Sequence, residues 1–474
     1  MKRKVFNNTA NRILLATVLV QLVSGLSLMA IPKIYPTGVT VYNPSKAYNS
    51  YVLFSSPDAK THLIDMNGNE VHKWDYIGFP SELLDPKVTG GKKGHVMLQL
   101  ENGIGGNSGI FNNKVVGEVD WNGNVVWQWG KEAPGGEARQ NHDWNRLTNG
   151  NTLLVVTVDR TVSGVSEKPI ADQTIYEVTS AGKIVWSWNA GDHIDEFGIN
   201  SEGRELLRKV YVNGGKGHGF LTINDMQPIG SNKWFDGGDK RFDPDNIVID
   251  SREASFIAII EKKTGKIVWR IGGDYGKGTE TNGVNANFAT SPSLRPTLSN
   301  KVPRPIDQTS GQHDAHIIPK GLPGEGNLLV FDNEGPSGYP PTRISTQHGS
   351  RILEIDPIKK EIVWQYTALD SEQPVWDFFS SYISSARRLP NGNTLIDEGM
   401  NGRIFQVTAD GEIVWEYVSP YFTKYQQDSK SVFTNWIFRA QPVPYNWVPE
   451  GTPHSEIAVE EIDITKFRIP TKSK

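Results

Sequence analysis

The chain has 474 residues, including 47 glycines and 14 tryptophans, and carries a formal net charge of −4. Acidic and basic residues are mixed along it without a long basic run, which argues against a nucleic-acid partner. It contains no cysteine. This excludes a cysteine nucleophile, a thiolate-ligated zinc or iron–sulfur site, a disulfide framework and a lipid anchor on cysteine. Abundant glycine and tryptophan are typical of short strands joined by tight turns, and hence of an all-β protein.

The N-terminus carries a targeting pattern. Four Lys or Arg residues come before an apolar run at residues 13–30, which reads ILLATVLVQLVSGLSLMA. A basic segment followed by such a run is typical of a secretory signal, and the length also suits an uncleaved membrane anchor. We therefore expect residues 1–30 to be a signal peptide or anchor. Residues 31–474 would then be exported, either to the periplasm or held at the membrane facing outward.

A short pattern recurs six times in the rest of the chain. The copies lie at residues 65–74, 120–129, 179–188, 261–271, 356–366 and 408–417, and the third reads TSAGKIVWSW. Each copy is a tight turn followed by an alternating apolar strand that ends in large side chains, most of them aromatic, which predicts a β-hairpin.

A second hairpin pattern, such as RLTNGNTLLVV at residues 146–156, lies between the copies and brings each unit to about four strands. A pair of hairpins cannot bury its apolar face alone, but units stacked in a ring form a continuous core. The repeat therefore predicts a six-bladed β-propeller with four-stranded blades. A β-sandwich with repeated turns is the alternative. Two longer spacings predict loop insertions near residues 235–246 and 273–309.

Polar residues recur at one position of the second hairpin. The residues eight positions before its turn glycines are His142, Thr222, His313 and Ser384, whereas the first copy, around residues 79–98, does not align. The innermost strand of each propeller blade lines the central channel, so these side chains are expected to share a cavity.

His313 lies in QHDAH at residues 312–316. Alternation along a strand would turn Asp314 to the opposite face, so Asp314 is expected to be a structural hydrogen-bonding partner. The spacing of His313 and His316 would suit a metal pair, but no carboxylate cluster completes a site, so no metal is predicted. Arg252, at the end of a hairpin in the Thr222 unit, offers a planar fork of donors suited to oxyanions.

Several longer stretches resemble the bacterial arylsulfotransferases, which transfer sulfate between phenols without a nucleotide donor. They include NHDWNRLTNGNTLL (residues 141–154), IVIDSREASFIAIIEKKTGKIVWRIGG (247–273), QHDAHIIPKG with NLLVFDNEG (312–335) and FRAQPVPYNWVPEG (438–451). TGVTVYNPSKAYNSYVLFSS (37–56) also matches. The QHDA and LLVFDN block is the most specific of these.

The resemblance implies a channel site and a ping-pong reaction through a sulfo-histidine, with aryl sulfate and phenol as substrates and no cofactor. The sulfated histidine of the family falls on His313, the histidine of its HD motif on His142, and its sulfate-binding arginine on Arg252. The family's HINS motif reads TIND here, which places its histidine on Thr222 and its asparagine on Asn224. Thr222 cannot support a departing phenolate as an imidazolium could.

Two further interpretations fit parts of the sequence. The TGKIVW motif resembles the tryptophan-docking repeats of quinoproteins, although these usually have eight blades and often a cysteine pair. A propeller that lost its chemistry at Thr222 would bind aryl sulfates without turnover. The sequence predicts no oligomeric state.

Overall fold

A computed structural model describes residues 36–101, 112–199, 201–214, 220–272, 304–305, 309–335, 337, 349–427 and 430–461. The expected signal or anchor at residues 1–30 lies outside these ranges, as does most of the insertion expected at 273–309. Among the residues so described, no helix is long and apolar enough to cross a bilayer.

Short strands dominate the described chain. Those of its first half are β1 (Gly38–Tyr42), β2 (Tyr51–Ser56), β3 (Lys60–Ile64), β4 (Glu70–Trp74), β5 (Ile77–Leu83), β6 (Val96–Gln99), β7 (Val116–Val119), β8 (Val125–Trp129), β9 (Gln140–Arg146), β10 (Thr152–Arg160), β11 (Ile170–Val178), β12 (Ile184–Asn189), β13 (Ile223–Pro228) and β14 (Ile247–Ser251). Those of the second half are β15 (Phe256–Ile260), β16 (Ile267–Gly272), β17 (Arg304–Pro305), β18 (His313–Ile317), β19 (Leu328–Asp332), β20 (Arg351–Asp356), β21 (Glu361–Tyr366), β22 (Ser385–Arg388), β23 (Thr394–Glu398), β24 (Arg403–Val407), β25 (Ile413–Val418), β26 (Thr423–Gln427), β27 (Lys430–Thr434) and β28 (Ala440–Val443).

Helices are few and lie in connections. The α-helices of the described chain are α1 (Ser201–Tyr211) and α2 (Lys233–Asp236). Short 3₁₀ segments occupy Pro134–Gly136, Ala190–Glu196, Lys240–Phe242, Ala368–Ser371, Val375–Asp377, Gly399–Asn401 and Tyr445–Trp447. The insertion expected near residues 235–246 is confirmed, because α2 and the turn at Lys240–Phe242 connect β13 to β14.

Six antiparallel sheets form the blades, which we number in chain order. From the inside outward they are β28–β2–β3–β4 (blade 1), β5–β8 (blade 2), β9–β12 (blade 3), β13–β16 (blade 4), β18–β21 (blade 5) and β22–β25 (blade 6). The strands β17 and β1 add a fifth strand to blades 5 and 6. The six inner strands contact one another in a closed circle. The predicted six-bladed propeller is confirmed.

Both ends of the described chain close this ring. The inner strand of blade 1 is the late strand β28, which pairs with β2 from Tyr51↔Val443 to Phe54↔Ala440. At the other end, β1 pairs with the outer strand β25 of blade 6, with Gly38 opposite Val418. A late strand therefore completes blade 1, and an early strand extends blade 6.

The blades stack through strands that are buried on both faces. In β10, Leu153 and Val155 pack with blade 4, whereas Leu154 and Val156 pack with blade 2. Successive side chains of a strand point to opposite faces, so a strand between two neighbouring sheets needs apolar residues at every position. This explains why the second strand of the repeat reads as a continuous apolar run.

The recurring tryptophans join neighbouring blades. In each blade an indole N–H of the outer strand donates to a backbone carbonyl at the outer hairpin of the next blade. Six such bonds, one for each blade in order, are Trp74 to Asp120 (3.0 Å), Trp129 to Gly182 (3.1 Å), Trp188 to Gly265 (2.8 Å), Trp269 to Pro357 (2.8 Å), Trp364 to Ala409 (2.9 Å) and Trp415 to Met66 (2.7 Å). The last bond joins blade 6 to blade 1, so the repeat motif itself closes the outer ring.

A buried ion cluster occupies the middle of the ring. Arg439, next to β28, contacts Asp143 of blade 3 at 3.0 Å, Asp225 of blade 4 at 2.7 Å and Asp314 of blade 5 at 3.1 Å. Arg387 of blade 6 also contacts Asp314, at 2.5 Å. Burial raises the pKa of Asp225 well above its usual range, although Arg439 opposes this. One guanidinium thus links four blades.

We predict that Arg439→Met lowers the free energy of unfolding by about 3–5 kcal/mol, because removing one partner leaves buried carboxylates without a cation. Equilibrium urea unfolding of the full chain measures this. The control is Arg241→Met, which removes an exposed pair with Asp239 (side chains 44% and 26% exposed) and should cost less than about 1 kcal/mol. Equal stability losses in the two variants would contradict the proposed role of Arg439.

Candidate active site

His313 opens the inner strand β18 of blade 5. The pairing of β18 with β19 shifts between His313, which faces Phe331, and His316, which faces Leu329. Asp314 in this bulge has a φ of 60°, a left-handed conformation that non-glycine residues seldom adopt. The bulge directs the Asp314 carboxylate to Arg439 and Arg387, whereas the imidazole of His313 takes other partners. The expectation of a structural role for Asp314 agrees with these contacts.

The hydrogen bonds of His313 fix its tautomer. Its Nδ1 lies 2.7 Å from Asn333 Oδ1 and 3.0 Å from the Gly311 carbonyl oxygen. The orientation of Asn333 is set because its Nδ2 donates to the carbonyl oxygens of Ser380 and Ile383, both at 2.8 Å. Two acceptors at Nδ1 require the proton there, so Nε2 carries the lone pair. That nitrogen accepts the backbone N–H of Ile383 at 3.1 Å.

His313 is a neutral imidazole at physiological pH. Burial, helped by the positive charge of Arg252, lowers its pKa to about 3, although the hydrogen bonds to Asn333 and Gly311 act in the opposite direction. Because the lone pair is not lost to protonation, the nucleophilic form is fully populated.

Arg252 lies directly after β14 of blade 4. Its backbone N–H donates to the carbonyl oxygen of Thr222 at 3.0 Å, which joins these two predicted site residues. One terminal nitrogen is ion-paired with Glu253, and within the described residues its buried Nε has no hydrogen-bond partner. A buried donor without a partner is costly, so an oxyanion at this position would be stabilised.

His142 lies in β9 of blade 3, also in a left-handed conformation, with a φ of 60°. Its Nδ1 is 2.9 Å from Asn141 Oδ1. The amide nitrogen of Asn141 donates to Thr157, so its oxygen faces the imidazole and Nδ1 of His142 holds a proton.

The two histidines occupy the same register of their blades. In blades 3 and 5 a backbone hydrogen bond closes the inner hairpin five residues after the histidine (Leu147 N to Asn151 O and Ile318 N to Asn327 O, both 2.8 Å). The matching bond of blade 6 joins Leu389 to Asn393 at 2.8 Å. It places Ser384 in register with them, as the sequence alignment predicted.

In blade 4 the residue in register is Asn224, and the alignment that selected Thr222 was wrong by two residues. Here the matching hydrogen bond joins Ile229 to Asn246 at 2.9 Å. Gly230 is not the tip of a tight turn because α2 and a 3₁₀ turn follow it. The amide of Asn224 donates to the Gln312 carbonyl oxygen at 2.9 Å, next to His313. Thr222 lies two residues upstream, with a φ of 49°.

An aromatic cluster, which sequence reasoning missed, lies between the two histidines. Phe79 and Phe438 stack at 3.8 Å between ring centroids, and they lie 5.9 and 6.4 Å from the ring of His142. Ile383, which caps His313, packs against the same two phenylalanines. In blade 2 the bond that closes the inner hairpin begins at Leu84, and the residue five positions earlier is Phe79. Phe79 therefore occupies the register of the two histidines, and this register could have identified it.

We predict that His313 stays neutral well below pH 6, because burial and Arg252 both disfavour its charged form. NMR titration of histidine-labelled protein, with the signal assigned by His313→Gln, measures this. Arg252→Met removes a nearby cation and should raise the pKa of His313, whereas Arg241→Met at the surface should not change it. A His313 signal that titrates near pH 6.5 in the unsubstituted chain would contradict the neutral imidazole.

Comparison with known proteins gives one family and several distant folds. The profile of the family described as Arylsulfotransferase (ASST) matches residues 91–436, more than half of the chain. No curated protein sequence matches.

Among solved structures, a protein of unknown function from Bacteroides caccae is 12% identical, covers 84% of this chain and 99% of its own, and has a TM-score of 0.42. Virginiamycin B lyase from Staphylococcus aureus is 10% identical over 85% and 94% of the two chains, with a TM-score of 0.35. Because the family profile covers more than half of the chain, the protein belongs to the arylsulfotransferase family.

Proposed function

We propose that this protein moves a sulfuryl group from an aryl sulfate to a phenol by a ping-pong reaction through sulfo-His313, without a cofactor. The family supports sulfotransferase chemistry in general. The observation that carries the proposal is the state of His313, a neutral imidazole whose Nδ1 is tied to Asn333 and whose lone pair is at Nε2 beside a cation.

In the first half of the reaction, Nε2 attacks the sulfur of the aryl sulfate. An N–S bond forms, the S–O bond to the aryl oxygen breaks, and the phenolate leaves and takes up a proton. In the second half, an acceptor phenol loses its proton and its oxygen attacks the same sulfur, which breaks the N–S bond. Sulfuryl transfer, like phosphoryl transfer, depends mainly on positioning and charge stabilisation.

Arg252 and His142 are assigned to the sulfuryl oxygens. The unpartnered Nε of Arg252 is a donor that such an oxygen would satisfy. Phe79 and Phe438 offer ring faces for the aryl group near His142. Asn224 holds the backbone at Gln312 and thereby positions His313.

Attack requires the amide of Ile383 to move away from Nε2. Ile383 is β-branched and has a φ of 55°, followed by Ser384 at 103°. A β-branched residue in the left-handed region is strained, which favours displacement of this segment when substrate arrives. Substrate binding must therefore break the hydrogen bond from Ile383 N–H to Nε2 of His313.

We predict that His313→Ala lowers transfer from 4-nitrophenyl sulfate to a phenol by about 10³-fold or more, because it removes the nucleophile. Release of 4-nitrophenol measures the rate. The exposed His454→Ala is the control and should retain full activity. With donor alone, a peptide containing Gln312–His316 should gain the mass of one sulfuryl group. Equal rates in His313→Ala and the unsubstituted chain would refute the assignment.

We also predict that Thr222→His raises the rate by roughly tenfold or more for donors with poor leaving groups. An imidazolium at this position could donate to the departing phenolate, which Thr222 cannot. Rates with phenyl sulfate and 4-nitrophenyl sulfate measure the effect, and the gain should be larger for phenyl sulfate. Thr222→Asn, which also relieves the left-handed backbone, is the control. The same gain in both variants would assign the effect to backbone strain.

The capped Nε2 and Thr222 favour a second candidate, an aryl-sulfate-binding protein without turnover. Saturable binding of 4-nitrophenyl sulfate with neither phenol release nor a sulfated peptide would support this second candidate.

For either activity we propose a location outside the cytoplasm, on the basis of the basic residues and apolar run before residue 31.

A further inference from the structure

We propose that the opposite end of the central channel holds a second binding site, specific for a small aromatic carboxylate. The site is a cavity of about 340 Å³, a volume within the range of small-molecule pockets. We call it the distal cavity. The proposal does not depend on the transfer reaction at His313.

The distal cavity is separate from the His313 site. Its polar lining includes Asn145, Gln227, His316 and Arg387. These residues come three positions after His142, Asn224, His313 and Ser384 in their inner strands. In blade 5 the bulge reduces this to two residues of the partner strand, or about 7 Å along the channel. The buried cluster of Arg439 with its three aspartates lies between the two levels.

Flat apolar groups form much of the wall. Trp144, Trp447 and Tyr48 line the cavity together with five prolines. Aromatic and proline rings present rigid faces against which a planar ring packs well, with little loss of side-chain entropy. The wall therefore suits an aromatic ligand better than a flexible one.

One charged side chain of the lining has donors available for an anion. The lining contains three arginines and one carboxyl group, that of Glu82. Arg388 is paired with Glu354 at 2.7 Å, and Arg439 with the aspartates. Arg387 gives one nitrogen to Asp314, and within the described residues the structure gives no partner to its Nε and Nη1. The Nε and Nη1 edge of a guanidinium can donate two parallel hydrogen bonds to the two oxygens of a carboxylate.

Two neutral groups complete the polar lining. His316 Nδ1 lies 2.9 Å from the Asp314 carbonyl oxygen and so carries the proton, which leaves Nε2 as an acceptor. Burial and Arg387 lower the pKa of His316 well below its usual value. Burial raises the pKa of Glu82 to about 8, with Asp143 adding to the effect, so this carboxyl is protonated at neutral pH and can donate. A ring hydroxyl would therefore find both a donor and an acceptor.

Calorimetric titration of the full chain with 4-hydroxybenzoate tests the site. We expect a Kd on the order of 0.1 mM, and at least tenfold weaker binding of the neutral methyl ester. Leu322→Trp fills the cavity without touching the ion cluster and should abolish binding. Leu369→Trp, at an exposed position (41%), is the matched control and should bind normally. Arg387→Lys keeps a cation for Asp314 but loses the fork, and should weaken binding about tenfold.

Because 4-hydroxybenzoate is itself a phenol, binding to the distal cavity must be distinguished from binding to the His313 site. Arg252→Met and His313→Ala should both retain 4-hydroxybenzoate binding, whether or not the transfer reaction exists. Thermal unfolding of each variant establishes that it is folded. Binding that survives Leu322→Trp but is lost in Arg252→Met would overturn the proposal, as would the absence of binding to the unsubstituted chain.

Discussion

One arginine in the centre of the ring, Arg439, holds the inner strands of the blades together. Arg439 contacts carboxylates from three blades and belongs to the segment that closes a fourth. Several buried carboxylates around one cation are stable only while that cation stays in place, because an unpaired buried charge costs far more than the pair contributes. The inner strands are therefore held at a common level, and at this level His142 and His313 occupy the same register of their blades.

The outer part of the propeller follows a different principle. There, hydrogen bonds from indoles to backbone carbonyls repeat from blade to blade, and the apolar layers between blades are formed by strands without a polar face. These contacts are similar in all six units, so they define the number of blades without distinguishing one from another. The blades differ in their inner strands, where one register position holds His142 in blade 3, Asn224 in blade 4 and His313 in blade 5.

This division explains what could be predicted from the sequence. The hairpins, their number and the insertion after β13 follow from local turn residues and alternation, which a single sequence displays directly. The register of blade 4 was missed because Gly230 looks like a turn tip although a helix follows it. The dipeptide Asn224–Asp225, parallel to His142–Asp143 and His313–Asp314, would have given the correct alignment. Arg439 had no local signal, since its partners are more than a hundred residues distant in sequence.

The use of β28 as an inner strand bears on how the protein is made. Until the segment around residue 443 leaves the ribosome, blade 1 lacks its central strand and the aspartates of blades 3 to 5 lack their shared cation. A nascent chain would thus contain the aspartates of the inner strands without their cation, and blade 1 would be completed late. Loss of the last few dozen residues would accordingly be more damaging than their distance from His313 in sequence suggests.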